Sequence, residues 1–150
     1  MAPLQKQSTD LAESYLKRAL NKQIESKNHL EGCRYAESVS ASQECIELSI
    51  KASFLLLDIE PPKDHKFTQE QFGEVLRRIP AKLTYRDFAK VYLYSMFWSM
   101  FYTVAKYGLE KVQVGPDKLF EKEEAELALK HAQRCRDAAG DLANYVRFPW

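Results

Sequence analysis

The apolar and polar positions along residues 38–59 set the frame for the rest of the chain. One apolar stripe at helical spacing runs Ala41, Cys45, Leu48, Ala52, Leu55, Ile59, and a second, Ile46, Ile50, Phe54, Leu57, faces another way. A third face is made of small hydroxyls: Ser38, Ser42, Ser49 and Ser53. A surface helix ordinarily carries a single apolar stripe, so this pattern predicts a central helix packed on most of its sides. A narrow polar edge remains, with Gln43, Glu47 and Lys51 at successive steps of four. Pro61 and Pro62 cannot continue a helix, and they turn the preceding residue away from helical torsions. The helix is therefore expected to end near Ile59 and to lead into a rigid turn carrying Lys63, Asp64 and His65.

The same reading places the other elements. Asp10–Glu13 has the form of a capping box opening a first helix to about Lys27, with Leu11, Tyr15, Leu16, Ala19, Leu20 and Ile24 facing inward. Asn28–Glu31 offers a second box, which starts the central helix early and places Gly32 inside it. Thr68–Gln71 is a third box, for a short helix over about Gln69–Arg78 that Pro80 ends. From Thr84 to about Tyr107 the pattern predicts a long helix ringed with aromatics, closed by Gly108. A linker over Leu109–Asp117 precedes a last helix, about Glu121–Val146. Its seam of Ala125, Ala128, Ala132, Cys135, Ala139, Leu142 and Val146 is small enough for close approach, and the serine face of the central helix is its expected partner. No strand pattern occurs. The expected fold is all-α, an antiparallel up-and-down bundle of four long helices plus one short helix, in a single domain over residues 1–150.

Composition narrows the functions available. Hydrophobic residues make up 45% and charged residues 29%, a globular balance, and the net charge of +1 provides no global field for nucleic acid or an anionic membrane. Any anion site must then be a local patch. The uncharged run Val91–Ala105 falls short of the roughly 20 residues a membrane crossing needs. Its aromatics ring the helix, so some must leave the subunit's own core, and homodimerisation through residues 84–107 is the expected consequence. The N-terminus has no apolar segment of the signal-peptide kind. Cys45 and Cys135 fall on apolar stripes and Cys33 has no C-x-x-C partner, which fits free thiols in a reducing cytoplasm.

The segment Gln43-x3-Glu47-x3-Lys51-Ala52, followed by an aliphatic run and Ile59-Glu60-Pro61-Pro62-Lys63-x-His65, resembles the HEPN family of nucleotide-binding domains. The resemblance implies a helical bundle and a ligand-binding set of Gln43, Glu47, Lys51, Lys63 and His65, with Arg134 of the last helix as an additional cation. It also implies a partner: compact members often accompany small nucleotidyltransferases as substrate-binding or toxin–antitoxin subunits. Nucleotide or RNA would be the ligand, and no cofactor, metal or membrane is expected.

Many HEPN proteins are metal-independent ribonucleases with an Arg-x4–6-His motif, in which histidine moves the proton and arginine neutralises phosphorane charge. Where that arginine would stand, this chain has Ile24, Gln23 and Lys22 before His29, Glu60, Ile59 and Asp58 before His65, and Glu126, Ala125 and Glu124 before His131. The motif is missing and no catalytic residue is assigned. The leading expectation is a non-catalytic nucleotide- or partner-binding domain. A ribonuclease with an arginine brought from elsewhere, or a purely structural dimerisation module, are the alternatives. Glu47 and Lys51 also form the favourable i, i+4 pair of an ordinary helix. The basic run Arg77, Arg78, Lys82, Arg86, Lys90, with Tyr85 and Tyr92 beside it, reads first as a solvated face and second as a phosphate-tracking stripe.

Overall fold

A computed structural model of the chain describes residues 3–63 and 67–149, with side chains from residue 8 onward. Its α-helices are α1 (Pro3–Glu31), α2 (Tyr35–Leu56), α3 (Gln69–Arg78), α4 (Phe88–Ser99), α5 (Tyr102–Tyr107) and α6 (Lys122–Arg147). Short 3-10 segments occupy Ala81–Arg86, Glu110–Val112 and Pro116–Lys118. The described residues contain no strand, and one antiparallel bridge joins Leu109 to Val114. The all-α bundle expected from the sequence is the fold.

Local signals succeeded where they coincide with a chain breaker. Thr68 caps α3 by accepting from the Gln71 amide at 3.1 Å, while the Gln71 side chain accepts from the Thr68 amide at 2.8 Å. The expected bounds of α3 hold residue for residue. Elsewhere capping sequences lie inside helices. α1 runs through both Asp10 and Asn28 without a stop. Between them Ala12, Ala19 and Ser26, seven residues apart, are fully buried, whereas Leu11 and Ile24, expected inside, are 44% and 50% exposed. α1 thus docks through small residues, and this continuous contact outweighs two caps that would each contribute about 1 kcal/mol.

Gly32 lies in the turn after α1 rather than in α2. Cys33 takes the left-handed conformation there (φ 59°), with the Arg34 amide bonded to the His29 carbonyl at 2.8 Å and the Cys33 amide to Leu30 at 3.0 Å. That is a Schellman closure with cysteine where glycine is usual. The same closure ends α2 three residues earlier than expected. Asp58 has φ 59°, and the Ile59 amide reaches the Phe54 carbonyl at 2.9 Å. Arg78 Nη1 then donates to the Leu57 carbonyl at 3.0 Å, tying α3 to an end of α2 whose carbonyls would otherwise lack partners.

The hydroxyl face of α2 divides between two uses. Ser26 Oγ lies 2.9 Å from Ser38 Oγ and 2.7 Å from Ser42 Oγ, and Ser38 Oγ donates to the Ser26 carbonyl, so these serines join α1 to α2 rather than to α6. Ser49 and Ser53 bond back to carbonyls of α2 itself. The alanine seam of α6 meets α2 at Cys45, whose thiol lies 3.8 Å from the Ala132 carbonyl.

The long helix expected over residues 84–107 is divided. A 3-10 segment ends at Asp87 (φ 51°), which caps α4 by accepting from the Lys90 amide at 3.3 Å. A second break at Met100–Phe101 separates α4 from α5. No proline or glycine marks it. Phe101 instead turns its ring edge-on to Phe97 and Phe120, at 5.4 and 6.1 Å between centroids, and tertiary packing sets the bend. The pairs Tyr85–Asp141, Tyr94–Arg134 and Trp98–His131 run in opposite directions along the chain, so α4 lies antiparallel to α6. An aromatic relay connects α4 to α2 at the other side: Tyr92 stacks on Phe72 at 4.9 Å, and Phe54 meets Phe72 at 6.3 Å and Phe67 at 5.6 Å.

Candidate functional site

The polar edge of α2 is largely internal. Gln43 is 4% exposed, and its Oε1 has no hydrogen-bond partner among the described residues. Glu47 is 8% exposed and pairs with Lys51 Nζ at 3.2 Å. Lys63 is exposed. His65 lies outside the described residues. Arg134 stands in a different setting, on α6 beside Tyr94, in a cavity that none of Gln43, Glu47, Lys51 and Lys63 lines.

That cavity, about 310 Å³, lies between the Ala81–Arg86 segment, the start of α4 and the middle of α6. Its lining includes Tyr85, Arg86, Lys90, Tyr94 and Arg134, together with the carboxylate of Asp87. Arg134 Nη1 donates to the Tyr94 hydroxyl oxygen at 2.8 Å. Asp141, from the next turns of α6, accepts from the Tyr85 hydroxyl at 2.6 Å and from Arg86 Nε at 2.5 Å. Burial pushes the Asp141 carboxyl up, but these two hydrogen bonds and the Arg86 charge outweigh it and hold it below its ordinary value. Arg86 is thus neutralised in place. Among the described residues, Lys90 and Arg134 have no carboxylate partner.

Behind Tyr94 lies His131. The two rings stack at 3.8 Å with 9° between their planes, and Trp98 Nε1 donates to His131 Nδ1 at 3.0 Å. Because Nδ1 is the acceptor, the neutral imidazole carries its proton on Nε2. Burial, then the positive charges of Arg134 and Lys130, lower the His131 pKa from 6.5, which favours this neutral form. A depressed histidine stabilises the fold above its unfolded pKa and loses that contribution as pH falls. The melting temperature should therefore decline below about pH 6.5 toward the lowered folded value. His131→Asn, which can still accept from Trp98, should flatten that part of the profile, leaving the carboxylates to act at lower pH. An unchanged slope in the variant would show that His131 is not the titrating group.

His29 is also committed, its Nδ1 accepting from Arg34 Nε at 2.9 Å. Cys45 and Cys135 are buried free thiols, Cys45 pushed by burial up to about 12 and Cys135 well above its usual value, which makes both inert. Cys33, by contrast, is exposed.

The basic run has several separate destinations. Arg77 pairs with Glu74 at 2.6 Å, Arg78 closes the end of α2, and Arg86 holds Asp141, so only part of it faces the cavity. Sequence reasoning picked out Arg134 and noticed Arg86 and Lys90. It missed Tyr94, Trp98 and His131 as neighbours, since no local signal joins α4 to α6 across more than 30 residues.

The fold is that of a small all-helical bundle domain, with a cleft lined mainly by cations and tyrosines beside a hydrogen-bonded histidine. A sequence model of the HEPN domain matches residues 12–142, which takes in most of α1 and most of α6. The chain belongs to the HEPN domain family. No curated protein and no solved structure matches it. No helix among the described residues is long and apolar enough to cross a membrane.

Proposed function

We propose that this chain is a non-catalytic HEPN domain that works by binding: it associates with a second copy through α4 and takes a nucleotide or a protein partner on its remaining surface. A small nucleotidyltransferase, as in toxin–antitoxin pairs, is the partner that the family kinship favours, and the buried free thiols suit a cytoplasmic setting.

The observation that carries this reading is the two-sidedness of α4. Phe88, Val91, Tyr94, Ser95 and Trp98 are buried on one side. Opposite them, Leu93, Met96, Phe97 and Met100, at i, i+3, i+4 and i+7, are 56%, 43%, 44% and 69% exposed. With Phe67 and Tyr92 they line a groove of about 430 Å³ that, among the described residues, contains no charged side chain. A stripe of this kind on a helix is core-like surface without a core, and a second copy offers the same stripe in return.

The ribonuclease alternative requires an imidazole with an available lone pair. His29 and His131 both use Nδ1 as an acceptor and keep the proton on Nε2, while His65 lies outside the described residues. Incubation with a fluorogenic RNA should accordingly give no turnover above buffer, for the native protein and for His131→Asn alike. Cleavage that disappears in His65→Ala or His131→Asn would overturn the non-catalytic reading.

A further inference from the structure

We propose that the cavity between the Ala81–Arg86 segment, α4 and α6 is an oxyanion site that receives the phosphate of a nucleotide, with Lys90, Arg134 and the Tyr94 hydroxyl as its donors and the Tyr85 ring as a stacking surface at its rim. The inference rests on the nucleotide-binding side of the function proposed above and gives it a location other than the Lys51–Lys63–His65 corner.

The donor inventory is the first reason. Arg134 uses one N–H on the Tyr94 oxygen and keeps four more. Because that oxygen is already an acceptor, the Tyr94 O–H is left to donate, and the buried tyrosine is held in one position by the stack against His131. Lys90 contributes an ammonium from the exposed first turn of α4, one residue short of the buried Val91. Of the two carboxylates near this wall, Asp141 accepts from both Tyr85 and Arg86 through Oδ2, and Asp87, which lines the cavity, accepts from the Lys90 amide through Oδ1. The space is lined by three cations and two tyrosines against one aspartate, so donors and positive charge predominate. An acceptor-only, multiply charged group fits it, and a phosphate monoester has three such oxygens.

Charge balance is the second reason. Asp141 neutralises Arg86, whereas Lys90 and Arg134 have no carboxylate partner among the described residues and lie on either side of the same space. With Arg86 held by Asp141, these two cations outnumber the one aspartate that lines the cavity, Asp87, and an anion between them offsets the remaining positive charge. The third reason concerns the ligand's other end. Tyr85 is 63% exposed, yet its ring is fixed, by the hydroxyl bond to Asp141 and by the Arg86 guanidinium 5.3 Å from its centroid. A fixed, exposed aromatic face beside a phosphate wall matches a base joined to its phosphate, and stacking on such a face is tolerant of which base it is.

Titration calorimetry with AMP, adenosine and inorganic phosphate tests the assignment, on the native chain and on Lys90→Gln, Arg134→Gln, Tyr85→Leu and Lys63→Gln. AMP should bind saturably, with adenosine and inorganic phosphate weaker. Lys90→Gln and Arg134→Gln should each weaken AMP about tenfold or more, since each removes a charge-assisted donor. Tyr85→Leu should bring AMP close to inorganic phosphate, and Lys63→Gln should change nothing. Lys90 is exposed, so its variant keeps the fold and decides the matter even if Arg134→Gln, which disturbs Tyr94, melts early. AMP binding indifferent to Lys90→Gln, or lost instead in Lys63→Gln, overturns this site while leaving nucleotide binding intact. No heat from AMP, ATP or GTP with the native chain overturns the nucleotide reading itself.

Discussion

Trp98→Ala should cost about 3–5 kcal/mol of stability, the range for deleting a large buried aromatic. Trp98 is 2% exposed and meets Phe97, Phe101 and His131 at ring-centroid distances of 4.9, 5.8 and 6.1 Å. It is where α4, the bend before α5 and α6 come together. Truncation leaves a cavity and also removes the donor to His131 Nδ1. Trp98→Phe separates the two effects: the ring volume is mostly kept, the N–H is lost, and the expected cost is about 1–3 kcal/mol. Urea unfolding followed by circular dichroism would measure both. Against a total stability of about 5–15 kcal/mol, the alanine variant should be marginal. A loss below about 1 kcal/mol for Trp98→Ala would mean that α4 does not depend on this contact for its seat on α6.

How far the fold could be read from the sequence depended on whether the deciding forces were local. α3 and α6 were placed to within a residue because a capping glutamine or glutamate and a nearby proline or linker act on the same few positions. α1 departs from its local sequence signals in two ways. Its internal capping sequences are real propensities overridden by packing, and its contact face consists of Ala12, Ala19 and Ser26 rather than its leucines. Hydrophobic periodicity weights large side chains, so a seam of small ones spaced by seven is easily passed over. The bend at Phe101 had no sequence signal at all, since its cause is a ring contact with Phe120 in a later segment. Of the candidate site, the Glu47–Lys51 pair was legible from its i, i+4 spacing and the structure shows it as such. Arg134 was legible as a cation but not as Tyr94's partner, 40 residues away in sequence.

The second large effect concerns α4's outer face. Leu93 and Met100 are mostly exposed, so Leu93→Glu and Met100→Glu should barely change the stability of a lone subunit, as surface substitutions generally do. In a dimer joined through this stripe the same changes bury carboxylates against apolar surface, and against their own copies across a two-fold axis. The double variant should therefore dissociate at concentrations where the native protein is fully paired, while its circular dichroism stays native. This separation of assembly from folding distinguishes an interface from a misplaced core.

Solution mass by light scattering at micromolar concentration tests the central claim, that α4 is a binding surface, most directly. Native protein should have twice the 17.4 kDa of the chain, and Leu93→Glu/Met100→Glu should have 17.4 kDa. A native protein that remains at 17.4 kDa across that range would contradict the claim.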